Sequence, residues 1–142
     1  MTLDANTSLN VLWPPGGRSF KSTNNAGLVL RLSCRGHSIL FPADIQVATE
    51  QELSRHAEVL ASEVLVAPHH GSAEISTRDF VRAVNPAAIL SSNDRTLSRK
   101  QREFDRLVEG FRLYRTNRCG AITMRISKGG EMRIETFVKT RD

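Results

Sequence analysis

The sequence lacks any long hydrophobic run. No stretch of its 142 residues approaches the roughly 18 apolar residues of a membrane-spanning helix, and no basic-then-apolar signal pattern opens the chain. Hydrophobic residues make up 39% of the chain and charged residues 25%, which is typical of a globular domain. We therefore expect a soluble chain without membrane contact of its own, although a piece cut from a membrane protein would look the same.

Cysteine is scarce as well. Cys34 and Cys119 lie far apart in strand-like contexts and form no C-x-x-C pair. Two buried free thiols in a reducing compartment are the expected state, and a disulfide between them is the alternative.

Several catalytic motifs are absent. The chain has no G-x-S-x-G nucleophile elbow, no phosphate-binding P-loop and no G-x-G-x-x-G fingerprint. Serine-hydrolase, nucleotide-hydrolysing and dinucleotide-binding chemistries therefore lose support.

The net charge of +5 is unevenly placed along the chain. Residues 1–70 hold five Lys or Arg and six Asp or Glu, whereas residues 71–142 hold fifteen and nine. A basic half favours a polyanionic partner, and a solvated Arg-rich surface is the alternative. No aromatic residue interrupts the basic residues of the segment 95–102 before Phe104, so no base-stacking platform is visible there.

Hydrophobic periodicity predicts eight strands. Residues 28–33 and 38–41 are expected to pair as one hairpin, and a Lys-Gly-Gly turn at 128–130 predicts a second hairpin at the C-terminal end. The predicted strands are 9–13, 28–33, 38–41, 64–66, 87–90, 111–114, 121–126 and 132–138.

Three helices are predicted between the central strands. Each begins with a capping pattern in which a hydroxyl residue precedes an acidic residue or Gln by three positions. The patterns are Thr49 with Glu52, Ser76 with Asp79, and Ser98 with Gln101. Alternating strands and helices predict an α/β domain over residues 9–142, a mixed sheet flanked by helices, preceded by a loose segment over residues 1–8.

Two predicted strands end in side chains that can bind metal. The strand 64–66 leads directly into Pro68-His69-His70-Gly71-Ser72, and the strand 38–41 leads into Pro42-Ala43-Asp44. In α/β folds the carboxyl ends of such strands build sites. Asp44 could instead be an ordinary loop or helix-start carboxylate, and one Asp with one usable His is too few ligands for a catalytic metal. His37 and His56 are expected to face solvent.

Five blocks of sequence resemble the second half of a metallo-β-lactamase-fold domain. The nearest resemblance is to the C-terminal domain of ComEC-type competence proteins, which take up DNA. It covers about residues 9–126, and its blocks are 13–15, 24–32, 39–45, 68–72 and 116–120.

The resemblance implies the C-terminal half of an αββα sandwich and a zinc- or manganese-dependent hydrolysis of phosphodiesters. Asp44 would take the place of the family's bridging carboxylate, and His70, or else His69, that of a downstream histidine ligand. Ser72 and Asn25 would contact these ligands without binding the metal themselves.

The sequence also departs from the family pattern. The H-x-H-x-D-H motif, which supplies most of the metal ligands, is absent and would lie upstream of residue 1. Ala43 stands where Gly is usual, Gly27 stands where many members have Ser, and residues 94–98 lack a common His-Pro.

These departures predict part of a hydrolase that is inactive by itself. The expected partners are DNA, the absent N-terminal half-domain and a possible second copy, in a parent protein at the bacterial cell membrane. The alternatives are a non-catalytic nucleic-acid-binding module and a structural or assembly module on a degenerate fold.

Overall fold

A seven-stranded mixed sheet forms the centre of the computed structural model, which describes residues 1–74, 76–94 and 96–138. Its strand order follows the chain, from β1 at one edge to β7 at the other. The strands are β1 Thr2–Asp4, β2 Thr7–Trp13, β3 Val29–Cys34, β4 His37–Phe41, β5 Val64–Val66, β6 Ala88–Ser91 and β7 Arg112–Arg115.

The sheet has an antiparallel and a parallel half. Strands β1 to β4 pair antiparallel: two-residue turns join β1 to β2 and β3 to β4, and residues 14–28 join β2 to β3. Strands β4 to β7 pair parallel and need helical crossovers. The helices are α1 Val47–Ser54, α2 Ala57–Leu60, α3 Arg78–Val84, α4 Arg99–Leu107 and α5 Thr116–Cys119. The expected α/β class with a mixed sheet is therefore confirmed, as is the hairpin of β3 and β4.

The core lies between the parallel strands and the helices. Register places Leu40, Leu65 and Ile89 side by side on β4, β5 and β6, and all three are fully buried. Phe80 of α3 and Phe104 of α4 are buried in the same cluster. Burial of such side chains contributes about 1.5–3 kcal/mol each. None of the helices in the described ranges is long and apolar enough to cross a membrane.

Two of the three predicted helix starts are wrong. Helix α1 begins at Val47, so Thr49 lies inside the helix and not at its start. The Thr49 hydroxyl bonds Asn25 instead of capping the helix backbone. Helix α3 is capped by Thr77, whose side chain accepts from the Phe80 amide, while Ser76 is buried. The capping box of Ser98 with Gln101 is confirmed at α4.

The structure also differs at both ends of the chain. The segment 1–8, expected to be loose, contains β1, which pairs with β2 although its side chains are exposed. Backbone pairing holds this strand, and it leaves no apolar pattern in the sequence. Residues 139–142 of the predicted domain lie outside the described residues. Cys34 and Cys119 are free thiols, as expected, but only Cys119 is buried as predicted, whereas Cys34 is half-buried.

A C-terminal hairpin forms a separate two-stranded sheet. Its strands are β8 Ile122–Ile126 and β9 Met132–Thr136, which pair antiparallel as predicted. Its turn is bound by His37, whose side chain is only 20% exposed, so the expectation that His37 faces solvent is wrong. Its Nδ1 lies 2.6 Å from the Glu63 carboxylate and its Nε2 2.6 Å from the Gly130 carbonyl oxygen.

Both ring nitrogens of His37 face acceptors, which only the doubly protonated ring can satisfy. The Gly130 carbonyl, followed by Glu63, raises the pKa of His37 above its ordinary value. Because the folded pKa is raised, this contact stabilises fully below the unfolded pKa of about 6.5 and is lost as pH rises through the folded pKa.

We predict that protection of the hairpin depends on the proton of His37. Amide hydrogen exchange across residues 122–136, corrected for intrinsic rates, should accelerate between pH 6 and pH 9 in the unaltered chain. His37→Gln should show fast exchange at both pH values, because glutamine cannot carry the second proton. The control His56→Gln alters a histidine whose side chain is 67% exposed and should leave the profile unchanged. An unaltered profile in His37→Gln would contradict the assignment.

Candidate functional site

The loops that follow β4, β5 and β6 leave the sheet at one edge, because these strands run parallel. The backbone in two of these loops is strained. Ala43, His69 and His70 have φ values of 53°, 47° and 56°, a region that non-glycine residues seldom occupy. Such strain gathers at binding and catalytic sites, where the surrounding structure has to hold it.

The two histidines lie in a tight left-handed turn. His69, His70 and Gly71 all have positive φ within and after a short 3₁₀ turn. A side chain at Gly71 would place its Cβ 2.8 Å from Ser91 Oγ, so only glycine fits there. The turn still separates the two imidazoles, whose centroids lie 6.5 Å apart at an interplanar angle of 87°.

His69 faces the loop that follows β4. Its backbone amide donates to the Ala43 carbonyl at 3.1 Å, which ties the two loops together beside Asp44. Its ring Nε2 lies 3.4 Å from Nδ2 of Asn24. Asp44 is half-buried, and its carboxylate has no hydrogen-bond partner within the described ranges. The structure thus places His69, Asp44 and Asn24 in one neighbourhood.

Asn25 supports this loop from inside the protein. Its Oδ1 accepts from the Gln46 amide and the Thr49 hydroxyl, both at 3.1 Å, and its carbonyl accepts from Trp13 Nε1 at 2.7 Å. All three contacts are structural. The neighbouring Asn24, which the sequence offered no means of distinguishing from Asn25, is the one that reaches a histidine. Ser72 is half-buried just after the left-handed turn.

His70 lies on the other side of the turn. It is exposed and lines a polar cleft of about 240 Å³ together with Ser92, Asn93, Asp94 and Gln101. Its backbone carbonyl accepts from Asn93 Nδ2 at 2.8 Å, and Gln101 Nε2 lies 3.5 Å away. The carbonyl is therefore held firmly, while the imidazole remains open to the cleft.

The predicted ligands do not form a complete metal site by themselves. No group of three or more His, Cys, Asp or Glu side chains converges anywhere in the part of the chain that the structure describes. A catalytic zinc site usually takes three protein ligands. The roles of Asp44, His69 and His70 as metal ligands, with Ser72 and Asn25 behind them, therefore stay predictions.

A buried arginine at the end of β7 holds this edge of the sheet together. The guanidinium of Arg115 makes five hydrogen bonds, which use its whole donor set. It bonds the Asp105 carboxylate at 2.7 and 2.9 Å, the Gln101 carbonyl at 2.6 Å, Asn93 Oδ1 at 2.7 Å and Ser91 Oγ at 3.1 Å. Sequence reasoning missed this residue, although a charge at the end of a buried strand was a usable signal.

Comparison with known proteins gives two partial matches. The chain is 31% identical over 121 residues to competence protein ComA of Neisseria gonorrhoeae, covering 82% of this chain and 18% of that protein. It is 34% identical over 84 residues to the uncharacterized protein YcaI of Escherichia coli K12, covering 58% of this chain and 11% of that protein. The similarity supports a competence-related family. No family model matches the chain.

The chain spans only 18% and 11% of the length of these two relatives. It therefore corresponds to a part of each, and what either whole protein does is not carried over by the match. The competence-related assignment agrees with the resemblance read from the sequence. The matches to these two proteins show neither a sandwich fold nor a metal site nor a hydrolytic reaction in this chain.

A buried carboxyl group on α1 lies against Thr77, the residue that caps α3. Glu50 of α1 is fully buried, and its Oε2 accepts from the Thr77 amide at 2.6 Å. Its Oε1 has no partner among the described atoms. Burial raises the pKa of Glu50 to about 7, against the opposing effect of Thr77. The start of α3 therefore bonds a carboxyl group that is partly protonated, and so partly neutral, near neutral pH.

We predict that Arg115→Ala lowers the free energy of unfolding by about 3 kcal/mol, because it leaves the buried Ser91 and the half-buried Asn93 and Asp105 without their shared partner. Urea unfolding followed by fluorescence of Trp13, the only tryptophan, measures this change. The matched control is Arg118→Ala, which removes an exposed ion pair 3.4 Å from the same Asp105 and should lower the free energy by less than about 1 kcal/mol. Equal losses in the two variants would contradict the role of burial.

We predict that Glu50→Gln stabilises the fold at pH 8 by about 1–3 kcal/mol and not at pH 4.5. The folded pKa is raised, so the cost of ionisation grows as pH rises from the ordinary value of 4.5 to about 7 and stays above it. Urea unfolding at both pH values measures the difference. Glu52→Gln is the control: Arg18 lowers the pKa of this half-exposed carboxyl, so its replacement should slightly destabilise at pH 8. A pH-independent gain in Glu50→Gln would overturn the assignment.

Proposed function

We propose that this chain is part of a metal-dependent hydrolase domain of a competence-related protein that takes up DNA, with phosphodiesters as substrate. Its sheet would be one half of an αββα metallo-β-lactamase-like sandwich. The supporting findings are the similarity to a competence protein and the position of the candidate ligands at the carboxyl ends of parallel strands.

One observation carries the proposal. The His69 amide and the Ala43 carbonyl join two strained loops directly beside Asp44. His69 and Asp44 therefore lie on two loops that a backbone hydrogen bond joins, and an imidazole with a carboxylate suits a borderline cation such as Zn²⁺ or Mn²⁺. This arrangement favours His69 over His70 as the partner of Asp44, because the His70 ring faces the separate cleft.

Two donors do not complete a catalytic metal site, so the proposal requires further ligands from outside the described residues. An N-terminal half-domain is the proposed source of these ligands. The isolated chain should therefore bind Zn²⁺ or Mn²⁺ weakly and leave DNA uncut. The whole protein is proposed to act at the bacterial cell membrane.

A second candidate is a non-catalytic nucleic-acid-binding module. The incomplete ligand set favours it, as does the net charge of +5, because residues 71–142 carry a balance of +6 and residues 1–70 one of −1. A structural module that pairs with a second copy is the third reading. Val11, Leu30 and Phe41 lie in register on one sheet face, and the first and last are exposed.

We predict that titration calorimetry detects weak binding of Zn²⁺ and Mn²⁺, and that Asp44→Ala and His69→Ala each weaken it at least about tenfold, or 1.4 kcal/mol. His56→Ala, on an exposed helix end, is the matched control. His70→Ala distinguishes the two adjacent histidines and should have a smaller effect than His69→Ala.

Three results separate the candidates. Metal affinity that stays unchanged when Asp44, His69 or His70 is replaced would overturn their role as metal ligands. Salt-sensitive DNA binding that persists in these variants then favours the non-catalytic module. Metal-dependent cleavage of DNA by the isolated chain, abolished in Asp44→Ala, would contradict the expected inactivity and support the hydrolase.

A further inference from the structure

Helix α4 presents a row of arginines to solvent. Arg99, Arg102 and Arg106 are spaced three and four residues apart, which places them on one face of the helix. All three are exposed, whereas Phe104 on the opposite side is fully buried in the core. The burial of Phe104 fixes the helix against the core, and Arg102 in addition donates to the Leu97 carbonyl at the start of the helix.

The acidic residues near this row do not neutralise it. Glu103 lies 3.6 Å from Arg99 in an exposed pair, which is worth little. The Asp105 carboxylate lies 3.4 Å from Arg118, but it also forms an ion pair with the buried Arg115 at 2.7 Å. Arg118 therefore adds to the excess of positive charge. We call Arg99, Arg102, Arg106 and Arg118 the arginine ridge.

The ridge adjoins the cleft that His70 lines. Gln101, on the same helix, forms one wall of this cleft and approaches the His70 carbonyl. Helical rise separates Arg99 from Arg106 by about 10 Å, roughly three nucleotide steps along one strand of a duplex. A guanidinium offers a planar pair of donors that matches phosphate oxygens.

We infer that the arginine ridge binds the phosphate backbone of a nucleic acid and leads it past the His70 cleft. The proposed function is used here only to choose a nucleic acid among polyanions. The contact is independent of base sequence, because phosphates are the same at every nucleotide. No aromatic side chain on the exposed face of α4 adds stacking on bases.

The structure favours a nucleic acid over an anionic membrane surface. A helix that lies in a membrane interface needs a free apolar face beneath its basic residues. Helix α4 has none, because Phe104 is fully buried and Val108, just beyond the helix end, is 2% exposed in the same core. Its basic face is therefore suited to an extended charged polymer in water.

The test is fluorescence anisotropy with a labelled 20-base-pair DNA duplex of mixed sequence at several NaCl concentrations. The test variant is Arg99→Gln with Arg102→Gln and Arg106→Gln. Each lost phosphate contact should reduce the slope of log affinity against log salt by about 0.9, so the slope should fall by about 2 to 3. The matched control is Arg55→Gln with Arg78→Gln and Arg82→Gln, three exposed arginines on or beside α1 and α3, and it should keep the original slope.

Arg102 also donates to the Leu97 carbonyl at the start of α4, so a double variant without that change guards against misfolding. Arg99→Gln with Arg106→Gln should still lose about 2 units of slope. An unchanged slope in both ridge variants, or an equal loss in the control, overturns the inference. Absence of DNA binding at low salt, or binding only to phosphatidylserine vesicles, overturns it as well. Metal titration of Asp44→Ala reports on the proposed function separately, since Asp44 is no part of the ridge.

Discussion

The buried guanidinium of Arg115 is the interaction on which the candidate site depends. A cation in an apolar interior is tolerated only when its charge and all of its N–H groups are matched. Arg115 meets that condition through groups from three different segments: the end of β6, the loop after it, and α4. None of these segments can move without unpairing the charge, so the edge of the sheet behaves as one unit.

This network also explains how a strained turn persists. His69, His70 and Gly71 hold left-handed conformations that cost of order 1–3 kcal/mol for each non-glycine residue. Asn93, which is bonded to Arg115, donates to the His70 carbonyl, and Gly71 packs without a side chain against Ser91. The loop carrying the histidines is therefore shaped by Ser91, Asn93 and, through them, Arg115, which are not among the candidate metal ligands.

Much of the architecture was predictable because it rests on local patterns. Alternating apolar residues identify β3, and the capping box of Ser98 with Gln101 identifies the start of α4. The same rule predicted a wrong helix start at Thr49, because the Thr49 hydroxyl bonds Asn25, a long-range partner that no local pattern reveals.

The candidate site was predictable only in part, for the same reason. Sequence placed His69 and Asp44 at strand ends, but the Ala43 contact, the separation of the two imidazoles and the role of Arg115 are long-range properties.

The strand order has a consequence for how the chain can fold. Each of the strands β2 to β7 pairs with the strand that precedes it along the chain, so a partner is already present when each of them emerges. The sheet can therefore grow from the β1 edge towards β7 without a strand being inserted between two others. Arg115 lies on the final strand of this sheet, and its partners lie on β6, the loop after it and α4. Its charge network can close only when all of these segments are in place, so a misplaced β7 would leave a buried cation without its partners.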